Sequence, residues 1–109
     1  MSTLSTHVLD TSLGRPAAGV PVVLEQQGVV IGFGTTDVDG RVRDFKQPLP
    51  VLLEGTYTLR FDVSDYFTGT GRECFYSDVT IKFRIGAQPE HYHVPLLISP
   101  FGYSTYRGS

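Results

Sequence analysis

The chain contains three histidines, and histidine is the side chain best suited to proton transfer near neutral pH because its ordinary pKa is about 6.5. They are His7, His91 and His93. His91 and His93 are two positions apart, so in a β-strand they share one face and can point into one site. A histidine on a strand is nevertheless more often structural than catalytic. The residue types therefore suggest acid–base chemistry without deciding which histidine performs it.

Metal-dependent and covalent chemistry find little support in the sequence. His91 and His93 have the spacing of a two-ligand metal clip, but no cysteine cluster or HExxH motif accompanies them. The segment Asp37-Val38-Asp39-Gly40 lacks the further acidic ligands of a calcium loop, and a tight turn explains it better. Cys74 has no local activating signal, and there is no Gly-x-Ser-x-Gly elbow. We therefore predict no metal, no cofactor, a structural Cys74, and water as the attacking nucleophile.

Length, composition and charge are those of one small globular domain. The 109 residues are 40% hydrophobic and 18% charged, with 12 glycines and 7 prolines available for turns. We predict a single domain over residues 1–109. A net charge of −2 argues against a nucleic-acid partner, because a phosphate backbone needs a basic surface. A single cysteine, no secretion signal and no membrane-spanning stretch predict a cytoplasmic protein without a membrane partner.

Alternation of apolar and polar residues is the strongest structural signal in the chain, and it predicts half-buried β-strands. It is clearest over residues 57–63 and over residues 79–85, where Lys82 and Arg84 face away from the apolar side chains. Weaker runs predict five further strands, at residues 4–9, 20–25, 29–35, 92–98 and 103–107. Many short strands joined by turns are typical of a β-sandwich.

Turn and helix signals complete the predicted architecture. Gln26-Gln27-Gly28 predicts a short turn between two strands, and Gly86 ends the strand at 79–85. Residues 64–68 predict one short helix, with Ser64 as its N-cap and Gly69 near its end. We therefore predict an all-β, two-sheet sandwich of about eight strands with one short helix.

Four blocks of sequence resemble one protein family, and they occur in the family's order. The chain ends in Tyr106-Arg107-Gly108-Ser109, which resembles the C-terminal signature of the 5-hydroxyisourate hydrolases, the enzymatic branch of the transthyretin family. The other three blocks are LSTHVLD at 4–10 with GRPA at 14–17, TDVDGR at 36–41, and HYHVPLLISP at 91–100. Together the four blocks extend the resemblance over essentially the whole chain, although residues 45–51 and 68–77 match the family only loosely.

The resemblance implies a fold, an activity and an assembly. The fold is a transthyretin-like two-sheet sandwich with a short helix, in agreement with the strand pattern. The activity is hydrolysis of 5-hydroxyisourate to 2-oxo-4-hydroxy-4-carboxy-5-ureidoimidazoline in purine (urate) catabolism, without a metal. The assembly is a homotetramer with active sites where subunits meet across a central channel. A transthyretin-type carrier of a thyroid-hormone-like ligand is the alternative function, since the fold alone cannot separate carrier from catalyst. A purely structural sandwich is a third possibility.

Opening a cyclic acyl-urea ring with water needs a base, a cation for the developing oxyanion and an acid for the departing nitrogen. Matched to the family motifs, the catalytic residues are His7, Arg41, His93 and Ser109. His7 would activate the water or relay its proton. Arg41 would hold the substrate and polarise a carbonyl with its planar guanidinium. His93 would orient the water or exchange protons with Ser109, and the division of labour between the two histidines stays open.

The same match implies how the end of the chain contributes to binding. Arg107 would engage the oxygen atoms of the substrate, and Tyr106 would position its planar ring. Gly108 would leave room for Ser109. The motifs assign no role to His91. The complete set implied to bind the substrate is His7, Arg41, Tyr106, Arg107 and Gly108. The resemblance also implies that the hormone carriers do not retain the polar set formed by His7, Arg41, His93 and the YRGS terminus.

Overall fold

The described residues of the computed structural model are 2–43, 45 and 52–109. Residues 46–51 of the loosely matching stretch 45–51 therefore lie outside the described residues, and Phe45 lies within them. Those described form nine β-strands and one helix: β1 (Thr3–Asp10), β2 (Arg15–Pro16), β3 (Pro21–Gln26), β4 (Val29–Thr35), β5 (Arg41–Val42), β6 (Gly55–Phe61), α1 (Val63–Gly69), β7 (Val79–Ile85), β8 (His91–Ser99) and β9 (Gly102–Thr105). The helix is not long and apolar enough to cross a membrane.

The strands form two sheets, which confirms the predicted two-sheet sandwich. One sheet has the order β2-β1-β8-β9, with β5 also paired to β1, and the other has the order β4-β3-β6-β7. β1 and β8 are parallel neighbours although they come from opposite ends of the chain. The core between the sheets consists of alternate side chains from the long strands, among them Val8, Leu24, Leu59 and Leu96. Burial of these apolar side chains is the main force that holds the sheets together.

The predicted alternation is confirmed where it was clearest. In β7, Val79 and Ile85 are buried whereas Lys82 and Arg84 are exposed. The turn predicted at residues 26–28 joins β3 to β4 through two residues with positive φ, Gln27 at 53° and Gly28 at 78°. Such a pair twists the chain in the sense that a tight hairpin requires.

Three boundaries differ from the predictions. The strand expected to reach Val63 ends at Phe61, and Val63 instead begins α1. The N-cap is Asp62, not Ser64, because the Asp62 carboxylate accepts a hydrogen bond from the backbone N–H of Asp65 at 3.4 Å. The last strand ends at Thr105 and does not reach residue 107, since β8 offers β9 partners only between Leu96 and Ser99. Alternation alone carries the first of these strands too far, because Val63 continues the apolar spacing of Tyr57, Leu59 and Phe61.

A buried carboxylate fixes the end of β1 to the helix and the loop that follows it. Asp10 is fully buried, and its Oδ2 accepts hydrogen bonds from Tyr66 and Arg72, each at 2.7 Å. Its Oδ1 accepts one from the hydroxyl of Ser12 at 2.5 Å. Burial by itself raises the pKa of Asp10, but the hydrogen bonds from Arg72, Ser12 and Tyr66 outweigh it and lower the pKa to about 2.

Candidate active site

Three strands bring three of the four predicted catalytic residues together on the outer face of one sheet. His7 in β1 lies opposite Arg41 of the antiparallel β5, and the parallel β8 runs along its other side. Leu4, Thr6 and Val8 are buried, so His7 and the other alternate residues of β1 point away from the core. His93 lies on the same outer face because its neighbours in β8 are buried. The sheet therefore presents two imidazoles and one guanidinium side by side.

The turn before β5 determines where Arg41 lies. Oδ1 of Asp37 accepts hydrogen bonds from the backbone N–H groups of Asp39, at 2.9 Å, and Arg41, at 3.0 Å. Gly40 has a φ of +76°, and its carbonyl accepts a hydrogen bond from the N–H of Val8 at 2.7 Å. A Cβ at Gly40 would collide with the carbonyl oxygen of Val8. The Asp-x-Asp-Gly turn predicted from the sequence is thus confirmed, and it seats the arginine opposite His7.

The electrostatics of this face keep both site histidines neutral near pH 7. Partial burial lowers the pKa of His7, and the nearby Arg41 guanidinium lowers it further, against the opposing effect of Asp37 and Asp39. Partial burial also lowers the pKa of His93, with additional repulsion from Arg41 and His7. A neutral imidazole has a lone pair on one nitrogen and a proton on the other, so each ring can accept or donate a proton.

His93 is held by a residue that the sequence did not indicate. Nδ1 of His93 lies 2.8 Å from Oγ of Ser5, which is directly opposite it in the β1–β8 register. The same hydroxyl lies 2.9 Å from Nε2 of His91. Ser5 shares the outer face of β1 with His7, a relation that alternation predicts. Its contact with His93 could have been found only by knowing that β1 and β8 are parallel neighbours.

The end of the chain returns to His93. The backbone N–H of Gly108 donates to the carbonyl of His93 at 2.8 Å. A Cβ at Gly108 would lie 2.5 Å from Cδ2 of His93, so glycine is the residue that allows this close approach. Ser109 follows directly and is exposed. The structure thus brings Gly108 against the imidazole of His93.

Tyr106 and Arg107 lie at a different place within the single chain. Nη2 of Arg107 donates to Oε1 of Glu90 at 3.0 Å, and its guanidinium carbon lies 4.6 Å from the ring centroid of Tyr92. Tyr92 is buried and therefore faces the opposite side of β8 from His93. Tyr106 and Arg107 line a cavity of about 290 Å³ between the edges of the two sheets. They are not brought together with His7 and Arg41 here.

The remaining candidates are placed outside this cluster or beside it. Cys74 is partly buried against the core, and its Sγ donates to the carbonyl of Tyr76 at 3.4 Å, as a structural role predicts. The described residues contain no group of three or more His, Cys, Asp or Glu side chains arranged to hold a metal ion.

Together, His7, Arg41 and His93 can transfer protons beside a fixed positive charge. These are the requirements of hydrolysis at a carbonyl.

Known proteins resemble the chain along nearly its whole length. A family model described as HIUase/Transthyretin family matches residues 4–108. A 5-hydroxyisourate hydrolase of Salmonella dublin is 43% identical over 110 residues, which cover 97% of this chain and 80% of that relative. The structure of Klebsiella pneumoniae 5-hydroxyisourate hydrolase superposes with a TM-score of 0.87 at 42% identity, covering 100% of this chain and 94% of that one.

The same fold also occurs in a carrier. Sea bream transthyretin, solved in complex with thyroxine, superposes with a TM-score of 0.82 at 30% identity, covering 96% of this chain and 93% of that one. Both kinds of protein therefore share the sandwich, and the sequence identity is higher to the hydrolases than to this carrier.

Proposed function

We propose that this chain, which belongs to the HIUase/transthyretin family, hydrolyses 5-hydroxyisourate. The observation that carries the proposal is the arrangement of His7, Arg41 and His93 on one sheet face, with two neutral imidazoles beside a guanidinium. The relatives named 5-hydroxyisourate hydrolase support the same activity at 43% and 42% identity. The reaction adds water across a C–N bond of a cyclic acyl urea and belongs to urate degradation.

We assign each chemical step of this reaction to one of the site residues. His7 takes a proton from the attacking water, and the resulting hydroxide adds to the carbonyl carbon. Arg41 stabilises the oxyanion that forms, because a guanidinium stays charged and offers a planar set of donors. His93 gives a proton to the departing nitrogen as the C–N bond breaks. Ser109 is a further proposed catalytic group, and what supports it is that the residue before it, Gly108, approaches the ring of His93 closely.

The terminal residues Tyr106, Arg107 and Gly108 are proposed to bind the substrate together with His7 and Arg41. What supports the role of Gly108 is its contact with His93. What supports the role of Tyr106 and Arg107 is that both line one cavity, where a bound substrate would contact them.

An ultraviolet absorbance assay tests the function. Uricase generates fresh 5-hydroxyisourate, and its decay is followed with and without the protein. We expect a large acceleration that His7→Ala reduces at least about 100-fold, the usual contribution of a positioned acid or base. Ser77→Ala removes an exposed hydroxyl that donates to Asp78 and not to a site residue, so it should retain the wild-type rate. A folded wild-type chain that leaves the decay unchanged would refute the hydrolase and favour the carrier alternative, for which thyroxine binding would then be measured.

We also propose a homotetramer with active sites at subunit interfaces. His7 and His93 lie on an outer sheet face, where a second copy would exclude water from the substrate. The exposed aromatic side chains of Phe75, Phe101 and Tyr103 add apolar surface that an interface would cover. Sedimentation equilibrium should give about four times the chain mass of 12.0 kDa. A monomer with full activity would contradict this assembly.

The extent of the domain and its cellular location are proposals of the same kind. One continuous core, formed by both sheets, supports a single domain over residues 1–109. Coincident unfolding transitions by circular dichroism and tyrosine fluorescence would be expected for it. A cytoplasmic location is supported by the single cysteine, and cell fractionation tests it.

A further inference from the structure

Four polar side chains form a connected row on the outer sheet face beside the candidate active site. Oγ1 of Thr3 lies 2.6 Å from Nδ1 of His91, and Nε2 of the same ring lies 2.9 Å from Oγ of Ser5. Oγ of Ser5 in turn lies 2.8 Å from Nδ1 of His93. The parallel register places Thr3 opposite His91 and Ser5 opposite His93. The row therefore connects a site histidine to an exposed histidine through one serine hydroxyl.

The single proton of the Ser5 hydroxyl couples the two imidazoles. A hydroxyl donates one hydrogen bond, so Ser5 donates to one ring and accepts an N–H from the other. When Ser5 donates to Nδ1 of His93, the proton of the neutral His93 ring is on Nε2. Ser5 then accepts a hydrogen bond from Nε2 of His91, so the proton of the His91 ring is also on Nε2. The two neutral rings consequently adopt the same tautomer. Because Ser5 occupies Nδ1 of His93, Nε2 is the nitrogen left to meet a substrate.

The chemistry of the departing nitrogen requires such a partner for His93. A neutral imidazole that gives up its only N–H proton becomes an anion, which makes it a weak acid by itself. A cationic His93 is also disfavoured, because burial, Arg41, His7 and His91 together lower its pKa more than a hydrogen bond to the Ser5 backbone raises it. A neighbour that returns a proton to Nδ1 while Nε2 loses one avoids both the anion and the cation.

We propose that Ser5 and His91 are positioning residues that relay protons between solvent and His93. The inference rests on the proposed function, in which His93 protonates the departing nitrogen. As the C–N bond breaks, Nε2 of His93 gives its proton to that nitrogen, and Ser5 gives its proton to Nδ1 of His93. Nε2 of His91 then gives its proton to Ser5. The exposed Thr3 hydroxyl, 2.6 Å from Nδ1 of His91, gives its proton to that nitrogen and takes one from solvent.

The relay then runs in the opposite direction and closes the cycle. The proton that His7 took from the attacking water passes to Nε2 of His93. Nδ1 of His93 returns a proton to Ser5, and Ser5 returns one to Nε2 of His91. Nδ1 of His91 then releases a proton to solvent through the Thr3 hydroxyl. One proton has entered from solvent and one has left, so water has been added to the ring with atoms and charge in balance.

Nitrogen-15 NMR of the imidazoles tests the coupling of the tautomers in the intact protein without substrate. Long-range proton–nitrogen spectra distinguish a protonated Nδ1 from a protonated Nε2. We expect the Nε2–H tautomer on both His91 and His93 in the wild type. In Ser5→Ala, the nitrogen shifts of His93 should move toward an average of the two tautomers. Different tautomers on the two rings of the wild type, or unchanged shifts in Ser5→Ala, would overturn the relay.

Steady-state kinetics test the transfer itself. We expect Ser5→Ala to lower kcat by about 10- to 100-fold with KM within about twofold, as loss of assisted proton transfer predicts. Ser5→Thr keeps the hydroxyl and should stay within about threefold of the wild type. His91→Gln can still hydrogen-bond to Ser5 but cannot pass on a proton, so its kcat should fall as far as that of Ser5→Ala. Ser77→Ala is the control and should be unchanged.

The outcomes separate this inference from the proposed function. An inactive, folded wild-type chain would refute the hydrolase and the relay together. An active wild type with an equally active Ser5→Ala variant would refute the relay alone. Full activity of His91→Gln would likewise overturn it, since that result would mean that Ser5 needs a hydrogen-bond partner and not a proton source.

Discussion

The buried carboxylate at the end of β1 gives a stability prediction whose size follows from the structure. Asp10 has a pKa of about 2 in the folded chain, against an ordinary value of 3.8. Each unit of difference corresponds to about 1.4 kcal/mol, so ionised Asp10 stabilises the fold by about 2 kcal/mol at neutral pH. Asp10→Asn removes this charge and leaves Arg72 without its partner. We therefore expect the free energy of unfolding to fall by about 2 to 4 kcal/mol at pH 7.

The pH dependence of this loss distinguishes an ionic effect from a steric one. Because folding lowers the pKa of Asp10, its contribution is fully present well above pH 3.8 and disappears as pH falls through about 2. The difference between Asp10→Asn and wild type should therefore shrink between about pH 5 and pH 2. Urea unfolding followed by circular dichroism at one fixed protein concentration measures it, since assembly makes stability depend on concentration.

The control for this prediction lies in the loop that carries Arg72. Glu73→Gln also removes one carboxylate, but Glu73 is exposed, so we expect a change within about 0.5 kcal/mol. The reasoning would be refuted if Asp10→Asn unfolded within 0.5 kcal/mol of the wild type at pH 7. It would also be refuted if the loss were as large at pH 2 as at pH 7.

Two further predictions concern the site. Gly108→Ala should lower kcat/KM at least tenfold in the absorbance assay, because its Cβ would lie 2.5 Å from Cδ2 of His93. Gly69→Ala is the control and should keep the wild-type kcat/KM, because a Cβ there meets nothing within 4 Å. Equal rates for both variants would contradict the close approach. Arg41→Gln should raise the pKa of both site histidines, since the guanidinium lowers them. The acid limb of kcat/KM should then move to higher pH, whereas Lys82→Gln, which removes an exposed cation on the other sheet, is the control. A limb that stayed in place would show that Arg41 does not set these pKa values.

Alternation predicted the long strands well because each of them buries only one face. The clearest case is β7, where Val79 and Ile85 are buried while Lys82 and Arg84 are exposed. The two-residue strands β2 and β5 were not predicted, since two residues contain no period. This limit matters for function, because β5 is the strand that places Arg41 opposite His7.

The residues of the site could be named from local motifs, but their arrangement depends on contacts between distant parts of the chain. Ser5 and His93 are 88 positions apart and meet only because β1 and β8 are parallel neighbours. Arg107 adjoins Gly108 in the motif, yet its side chain extends to Glu90 and Tyr92 on the other side of β8. A motif gives the order of residues along the chain and does not specify the face of the sheet to which each one turns.

The two faces of β1 explain how one short strand can serve both stability and chemistry. Leu4 and Val8 are buried on the inner face, where apolar contacts hold the sheets together. Ser5 and His7 lie between them in sequence and point outward, so polar groups reach the site without being placed in the core. Substituting an outward residue should therefore change proton transfer more than folding. That separation is what makes Ser5→Ala a test of the relay and not merely of the fold.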